Sequence, residues 1–329
     1  MASERSRSLL VRPHPRKGEA YLGYLIRGVE KNGYRSPAWL GRQLGLRNIT
    51  VPRSSELDAL ATSLGVDRAA LIPLIVNAAP DRIGNFVRIG GHEVHRSMIE
   101  RSRSRICPSC IGTKGFIPEF WLLKPIVACP EHGTFLVDHC SKCETPISWN
   151  RSTISECSCG YDLTRVPAVP APDNLVRLSR DLVSAFDGGK DRTGRQLLPK
   201  EFASLRFGAL LDQINLVGGY ASGRGRGACR HLASKLTSDA NAEVYTRTAG
   251  VLADWPNAFF ALLDDIRRHS DRKPTRSGLE AEFRTLYTAM FGRGSAAMVG
   301  YPVQEAFGQY VGTFWDGRFT GPKNARLTE

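Results

Sequence analysis

The chain has 329 residues, 42% of them hydrophobic and 23% charged, with 45 Lys+Arg against 32 Asp+Glu for a net charge of +13. At roughly 100–200 residues per domain this allows two or three domains with cores of their own. No run of 18 apolar residues occurs, which excludes a membrane-spanning helix, and Met1–Arg16 has no apolar stretch of the kind a secretory signal carries. A cytoplasmic protein is expected, nucleoid-associated when engaged, and its eight cysteines need a role other than disulfides.

In chain order, the first third reads as short helices. Tyr21–Lys31 places Leu22, Leu25, Ile26 and Val29 on one face and is stopped by Asn32-Gly33. Ser36-Pro37 opens a second helix through Leu44. Ser55–Leu64 and Asp67–Val76 form a pair joined at Gly65, with the spacing of a helix-turn-helix. The second member carries one base, Arg68, and is otherwise mostly apolar. That favours packing or protein docking over reading a DNA groove. Residues 1–105 hold 18 Lys+Arg and 9 Asp+Glu, residues 106–165 hold 5 and 6, and residues 166–329 hold 22 and 17. The basic excess therefore sits in the N-terminal third, notably at Arg96, Arg101, Arg103 and Arg105. It favours a polyanionic partner, nucleic acid or a nucleoprotein.

Seven of the eight cysteines fall between Cys107 and Cys159. They occur as Cys107-Pro-Ser-Cys110, Cys129-Pro-Glu-His132, Cys140-Ser-Lys-Cys143 and Cys157-Ser-Cys159. Four pairs give eight ligands, enough for two closed tetrahedral zinc sites of the structural kind. The simplest assignment is sequential: Cys107, Cys110, Cys129 and His132 in one site, Cys140, Cys143, Cys157 and Cys159 in the other. A cross-braced pairing uses the same ligands, and spacing does not exclude it. Gly112, Gly133 and Gly160 follow three of the pairs, where tight turns call for a permissive backbone. Every position of each ion would be filled by protein and no His-Glu-x-x-His occurs, so the zinc is structural. Two Zn²⁺ on seven thiolates bring the net charge from +13 to about +10. The segment has too few apolar groups to order some fifty residues unaided. Metal supplies the rest, on the order of 10 kcal/mol per site. Cys229 stands apart and reads as a buried thiol.

Beyond the cysteines, Val166–Asp173 is Pro-rich and reads as an extended linker. Helical patterns follow at Asn174–Phe186, Lys200–Val217, Trp255–His269, Leu279–Phe291 and Val303–Trp315, with a basic loop at Gly218–Gly227 containing Arg224 and Arg226. Little reads as strand outside the zinc region, where short hairpins are expected to hold the ligands. The expected fold is mainly α with small zinc-bound modules: an N-terminal helix-turn-helix-like domain over residues 1–104, a double zinc-binding module over 105–165, the linker over 166–174 and a C-terminal helical domain over 175–329. Gly188-Gly189-Lys190 lacks the glycine spacing of a phosphate-binding loop, and no nucleophile elbow or recombinase-like carboxylate pattern is visible. A non-catalytic protein is expected.

Three segments together resemble the TniQ/TnsD family of transposon target-selection proteins. They are Arg12-Pro-His-Pro-Arg-Lys-Gly-Glu19 with the following helix to Tyr34, then Arg105-Ile-Cys-Pro-Ser-Cys110, then Pro125–Cys143 with its Cys-Pro-Glu-His-Gly core. Ala253–Phe260 is similar to a further family feature. Ala20 departs from the pattern, as do the residues before Arg105, and neither departure touches a ligand. The resemblance implies a transposition adaptor that links a target-recognition complex to an AAA+ ATPase regulator (TnsC-like). That complex would be a CRISPR effector with guide RNA, leaving sequence reading to the guide. The resemblance also implies target DNA as a partner, a homodimer, and helix-turn-helix domains flanking zinc modules. The alternative is an autonomous sequence-specific DNA-binding target selector or regulator. The short C-terminal part leaves no room for an array of DNA-reading modules, which favours the effector-docked adaptor.

Overall fold

The computed structural model describes residues 8–78, 85–189, 196–223, 238–269, 278–292 and 301–314. The fold is mainly helical with little sheet and divides into two compact units, Met1–Gly194 and Arg195–Glu329. None of the described helices is long and apolar enough to cross a membrane.

The first unit begins with α1 (Tyr21–Lys31), whose bounds are those the sequence predicts. Its inner face places Tyr24, Leu25, Ile26 and Val29 out of solvent entirely. Tyr24, Leu25 and Val29 share a core with Leu40 of α2 (Pro37–Gln43), Leu60 and Leu64 of α3 (Leu57–Leu64), and Leu71 of α4 (Arg68–Leu71). Each such burial contributes roughly 1.5–3 kcal/mol. Pro37 opens α2 behind Ser36, whose hydroxyl accepts the Trp39 amide. The end of α1 is closed by Asn32, whose amide donates to the Gly28 and Val11 carbonyls at 2.8 and 2.7 Å and whose oxygen accepts the Val11 amide. One side chain thus caps a helix and ties the N-terminal segment to it.

That segment is held a second time by Glu19, which is fully buried. Arg27 of α1 meets both its carboxylate oxygens at 2.7 Å, and the Arg16 amide donates to it at 2.9 Å. Arg27 also donates to the His14 carbonyl. The Arg12–Glu19 motif is therefore a latch onto α1, built on a bidentate charge pair.

A three-stranded antiparallel sheet lies outside the cysteine-rich segment, where the sequence showed no strand: β1 (Asn77–Ala78), β2 (Phe86–Ile89) and β3 (His92–His95). Gly90 and Gly91 turn β2 into β3 with φ of +54° and +81°, the conformation of a two-residue hairpin. A Cβ on Gly90 would lie 2.1 Å from the Phe186 ring. The expected hairpins around the ligands are reduced to isolated bridges such as Ile106↔Val137 and Ala128↔Phe135. These strands escape a periodicity search because they are four residues or fewer.

The Pro-rich segment is extended, as its composition predicts, and it is pinned. The Phe135 amide donates to the Val169 carbonyl and the Ala171 amide to the Gly133 carbonyl, both at 2.9 Å. The helix it leads into, α6 (Asp173–Phe186), belongs to the first compact unit rather than to the C-terminal one. Arg180 of α6 donates to the Pro130 carbonyl at 3.1 Å, and His92 Nε2 lies 2.8 Å from the Phe186 carbonyl.

The second unit contains α7 (Phe207–Ala221), α8 (Ser238–Ala253), α9 (Asn257–Arg268), α10 (Leu279–Phe291) and α11 (Pro302–Phe314). The helix read over Lys200–Val217 is a 3-10 turn at Lys200–Phe202 followed by α7. Helix α8 had no sequence signal. Its buried face mixes Asn241, Tyr245 and Thr248 with Val244, Ala249 and Leu252, which blurs the apolar stripe. Gly218 lets α7 approach it closely, since a Cβ there would lie 2.3 Å from Thr248 Oγ1. Arg267 of α9 meets Glu282 of α10 at 3.0 Å and donates to the Tyr310 hydroxyl of α11 at 3.1 Å, and that hydroxyl donates to Asp264. This network and the Phe283–Phe307 ring pair at 4.8 Å join the three helices.

Candidate metal centres

Local sequence forms the four ligand pairs before any long-range packing. Cys107 stands at the N-cap of α5 (Pro108–Lys114), with Pro108 at the first helical position and Cys110 in the first turn. Gly112 lies inside that helix, not in a turn. Cys129 and His132 flank a tight turn in which the Gly133 amide donates to the Cys129 carbonyl at 3.0 Å, and the His132 amide lies 3.5 Å from Cys129 Sγ. Cys140 and Cys143 flank the same kind of turn. There the residue after the pair is Glu144, and its amide donates to the Cys140 carbonyl at 2.8 Å. Gly133 has φ of +65° and Glu144 of +56°. The side chain at 144 holds a left-handed conformation that costs a non-glycine residue about 1 kcal/mol. Gly160, at φ +80°, closes the turn after Cys157 and Cys159.

The tertiary structure gathers the ligand atoms in the sequential pairing. The Cys107, Cys110, Cys129 and His132 donors all lie within 4.8 Å of one another, as do the four thiols of Cys140, Cys143, Cys157 and Cys159. A tetrahedral ion with metal–sulfur bonds near 2.3 Å and metal–nitrogen bonds of about 2.0–2.1 Å sets ligand edges of about 3.8 Å (S···S) and about 3.6 Å (S···N). Cys140–Cys159 and Cys143–Cys157 are each 3.8 Å apart, and Cys110–Cys129 is 3.6 Å. Nδ1 of His132 is 3.5, 3.2 and 3.6 Å from the sulfurs of Cys107, Cys110 and Cys129. Both clusters have the size and donor set that hold a metal ion.

The surroundings fix each cluster. Lys114 of α5 pairs with Glu131 inside the Cys129–His132 turn. At the second cluster the organising residue is Arg151, which the sequence did not single out. It is 2% exposed and donates to the carbonyls of Ser148 at 2.6 Å and Thr153 at 3.0 Å. Burial draws its pKa down to about 10 while the nearby Cys157 thiol opposes that fall. A buried cation in the loop leading to Cys157 complements the negative charge of a four-thiolate site. His139 neighbours Cys140 but is bonded to Asp138 at 2.7 Å and is not in the cluster.

The basic residues singled out from the sequence have diverse placements. Arg105 is 6% exposed and donates to the carbonyls of Leu123 at 2.6 Å and Ile126 at 3.1 Å, and to that of Trp121. Arg103 meets Asp138 at 3.2 Å and Glu100 at 3.8 Å. Arg101 is half-buried and donates to the Val76 carbonyl at 3.2 Å. Arg96 is exposed. A run of alternating arginines looked like a charged face, but Arg105 points inward, where backbone carbonyls accept its donors. Arg224, Arg226 and Cys229 lie outside the described residues.

The helix pair with helix-turn-helix spacing is also shorter than expected. Helix α4 has four residues, followed by a 3-10 turn at Ile72–Leu74. Arg68 is paired with Asp58 at 3.1 Å and donates to the Ser54 hydroxyl at 2.7 Å.

Residues 10–136 match the family model described as TniQ. The match takes in the Glu19–Arg27 latch and the whole first metal cluster, and it ends before the second. No curated protein matches the chain.

Proposed function

We propose that this chain, whose residues 10–136 match the TniQ family model, is a transposition-associated target-selection protein and, within that class, a non-catalytic targeting adaptor. It links a target-recognition complex, an RNA-guided CRISPR effector, to an AAA+ transposition regulator. The observation that supports this reading best is α4. Four residues make little more than one turn, and their one base is already paired with Asp58. A helix that reads base edges needs several side chains free to reach into the major groove. Sequence reading is then delegated to a partner. The two clusters hold zinc in closed sites, where the ion supplies folding free energy and the eight side chains supply every ligand. They act as rigid nodes from which docking surfaces project.

The test is affinity purification of the tagged full-length chain from its native host, with protein and RNA both identified in the eluate. A CRISPR effector with its guide RNA, together with an AAA+ ATPase, is the expected result. An eluate without RNA, from a chain that protects one specific duplex sequence in a footprint, would overturn it in favour of an autonomous target selector.

A further inference from the structure

The stretch Lys31–Ser55 contains five Lys+Arg and no Asp or Glu. All five, Lys31, Arg35, Arg42, Arg47 and Arg53, are exposed. Among the described residues none of them has an ion-pair partner, in contrast to Arg27, Arg68 and Arg103. The backbone turns around α2 and Glu56 bring four of these positions near one another. Arg35 precedes α2 and Arg42 lies in its last turn, about 10 Å apart along the axis at 1.5 Å per residue. The end of α2 turns sharply, with the Gly45 amide on the Arg42 carbonyl at 3.1 Å and the Leu46 amide on the Gly41 carbonyl at 2.9 Å. Arg47 therefore follows Arg42 across one tight turn. Arg53 is drawn to the same place by Glu56, whose two carboxylate oxygens accept the Arg47 amide at 3.0 Å and the Arg53 amide at 2.7 Å. The one acidic group at the centre of this face is thus engaged by backbone, and Asp58 beyond it is engaged by Arg68.

We propose that this face, carried by Arg35, Arg42, Arg47 and Arg53 with Lys31 at its margin, binds the phosphate backbone of duplex DNA without reading sequence. The inference rests on the target-selection reading and assigns the surface that meets the target. Exposed cations without ion-pair partners, whose one acidic neighbour, Glu56, is engaged by backbone amides, attract a dense anion array. The face has no free aromatic platform. Tyr34 and Trp39 are turned against each other at 4.8 Å and packed on the α1–α4 core. Single strands bind through stacked bases, so the chemistry here suits a duplex backbone. Phosphate contacts position a protein on DNA while leaving specificity to other groups, as an adaptor relying on a guide requires.

The experiment is fluorescence anisotropy of the full-length, metal-loaded protein on a labelled DNA duplex of arbitrary sequence, between about 50 and 200 mM salt. Each phosphate contact contributes about 0.9 to the slope of log affinity against log salt. The variant R42Q/R47Q/R53Q should flatten that slope by about 2.7, whereas R42K/R47K/R53K should retain it. An unchanged slope overturns the proposal. So does an equal flattening in R88Q/R96Q/R165Q, which removes the same charge elsewhere, and so does tighter binding of a double-stranded RNA of the same sequence. A wild-type chain that co-purifies with an effector but has no duplex affinity overturns this inference and leaves the adaptor reading standing. Duplex binding lost only in R42Q/R47Q/R53Q, by a chain that brings down no effector, supports this face and counts against the adaptor.

Discussion

Replacing Arg105 by Met separates a structural arginine from a nucleic-acid contact. The methionine keeps most of the alkyl stem and removes the guanidinium. In the folded chain that group donates to the Leu123 and Ile126 carbonyls at 2.6 and 3.1 Å and to Trp121. These carbonyls belong to the loop that runs into Cys129. Losing hydrogen bonds from a charged donor costs about 1.5–3 kcal/mol each, and carbonyls left buried and unpaired add to that. The cost of burying a charge is recovered in part, so a net loss of about 3 kcal/mol is expected. For a unit of this size that lowers Tm by about 6–12 °C. Thermal unfolding of the metal-loaded protein, followed by circular dichroism, measures it. A variant that melts within about 2 °C of the parent while losing duplex affinity would refute the reasoning. It would return Arg105 to the surface role that its run of arginines suggests.

Two further outcomes follow from the same geometry. Elemental analysis should find two metal ions per chain, and Cys140→Ser should lower this to one, because the two donor sets share no ligand; Cys107→Ser should do the same at the other cluster, and loss of both ions from either single variant would show the sites to be interdependent. Glu119, half-buried and within range of the Asp187 charge, has its carboxyl pushed up from 4.5 to about 7 by burial first and by that charge second, with the Gly90 amide opposing. The folded state therefore holds this proton more tightly than the unfolded chain, so its stabilising contribution is complete below pH 4.5 and disappears as pH rises through 7. Between pH 5 and 8 the parent should lose about 2.5 kcal/mol that Glu119→Gln keeps. Urea unfolding at the two pH values decides it, and parallel pH dependence in both proteins would exclude Glu119 as the source.

The sequence by itself determined the parts whose physics is local. The bounds of α1 follow from its apolar stripe and the Asn32-Gly33 stop. Three of the ligand pairs follow from two-residue gaps that close one turn and the fourth from the one-residue gap of Cys157-Ser-Cys159, and the resemblance to the TniQ family follows from the order of those blocks. What spacing could not choose was the partner of each pair, because sequential and cross-braced sites use the same turns. That choice depended on which pairs the Ile106–Val137 and Ala128–Phe135 bridges bring together. Helix α8 was invisible because its inward residues include Asn241 and Thr248, whose burial depends on neighbours the chain has not yet met. The fate of the arginines was likewise tertiary. Nothing in Arg101–Arg105 says that the last side chain turns towards backbone carbonyls. Nor does anything in Lys31–Ser55 say that its five bases remain in water. Charge is a property of composition, whereas the exposure that makes it available to a partner is set only when the elements pack.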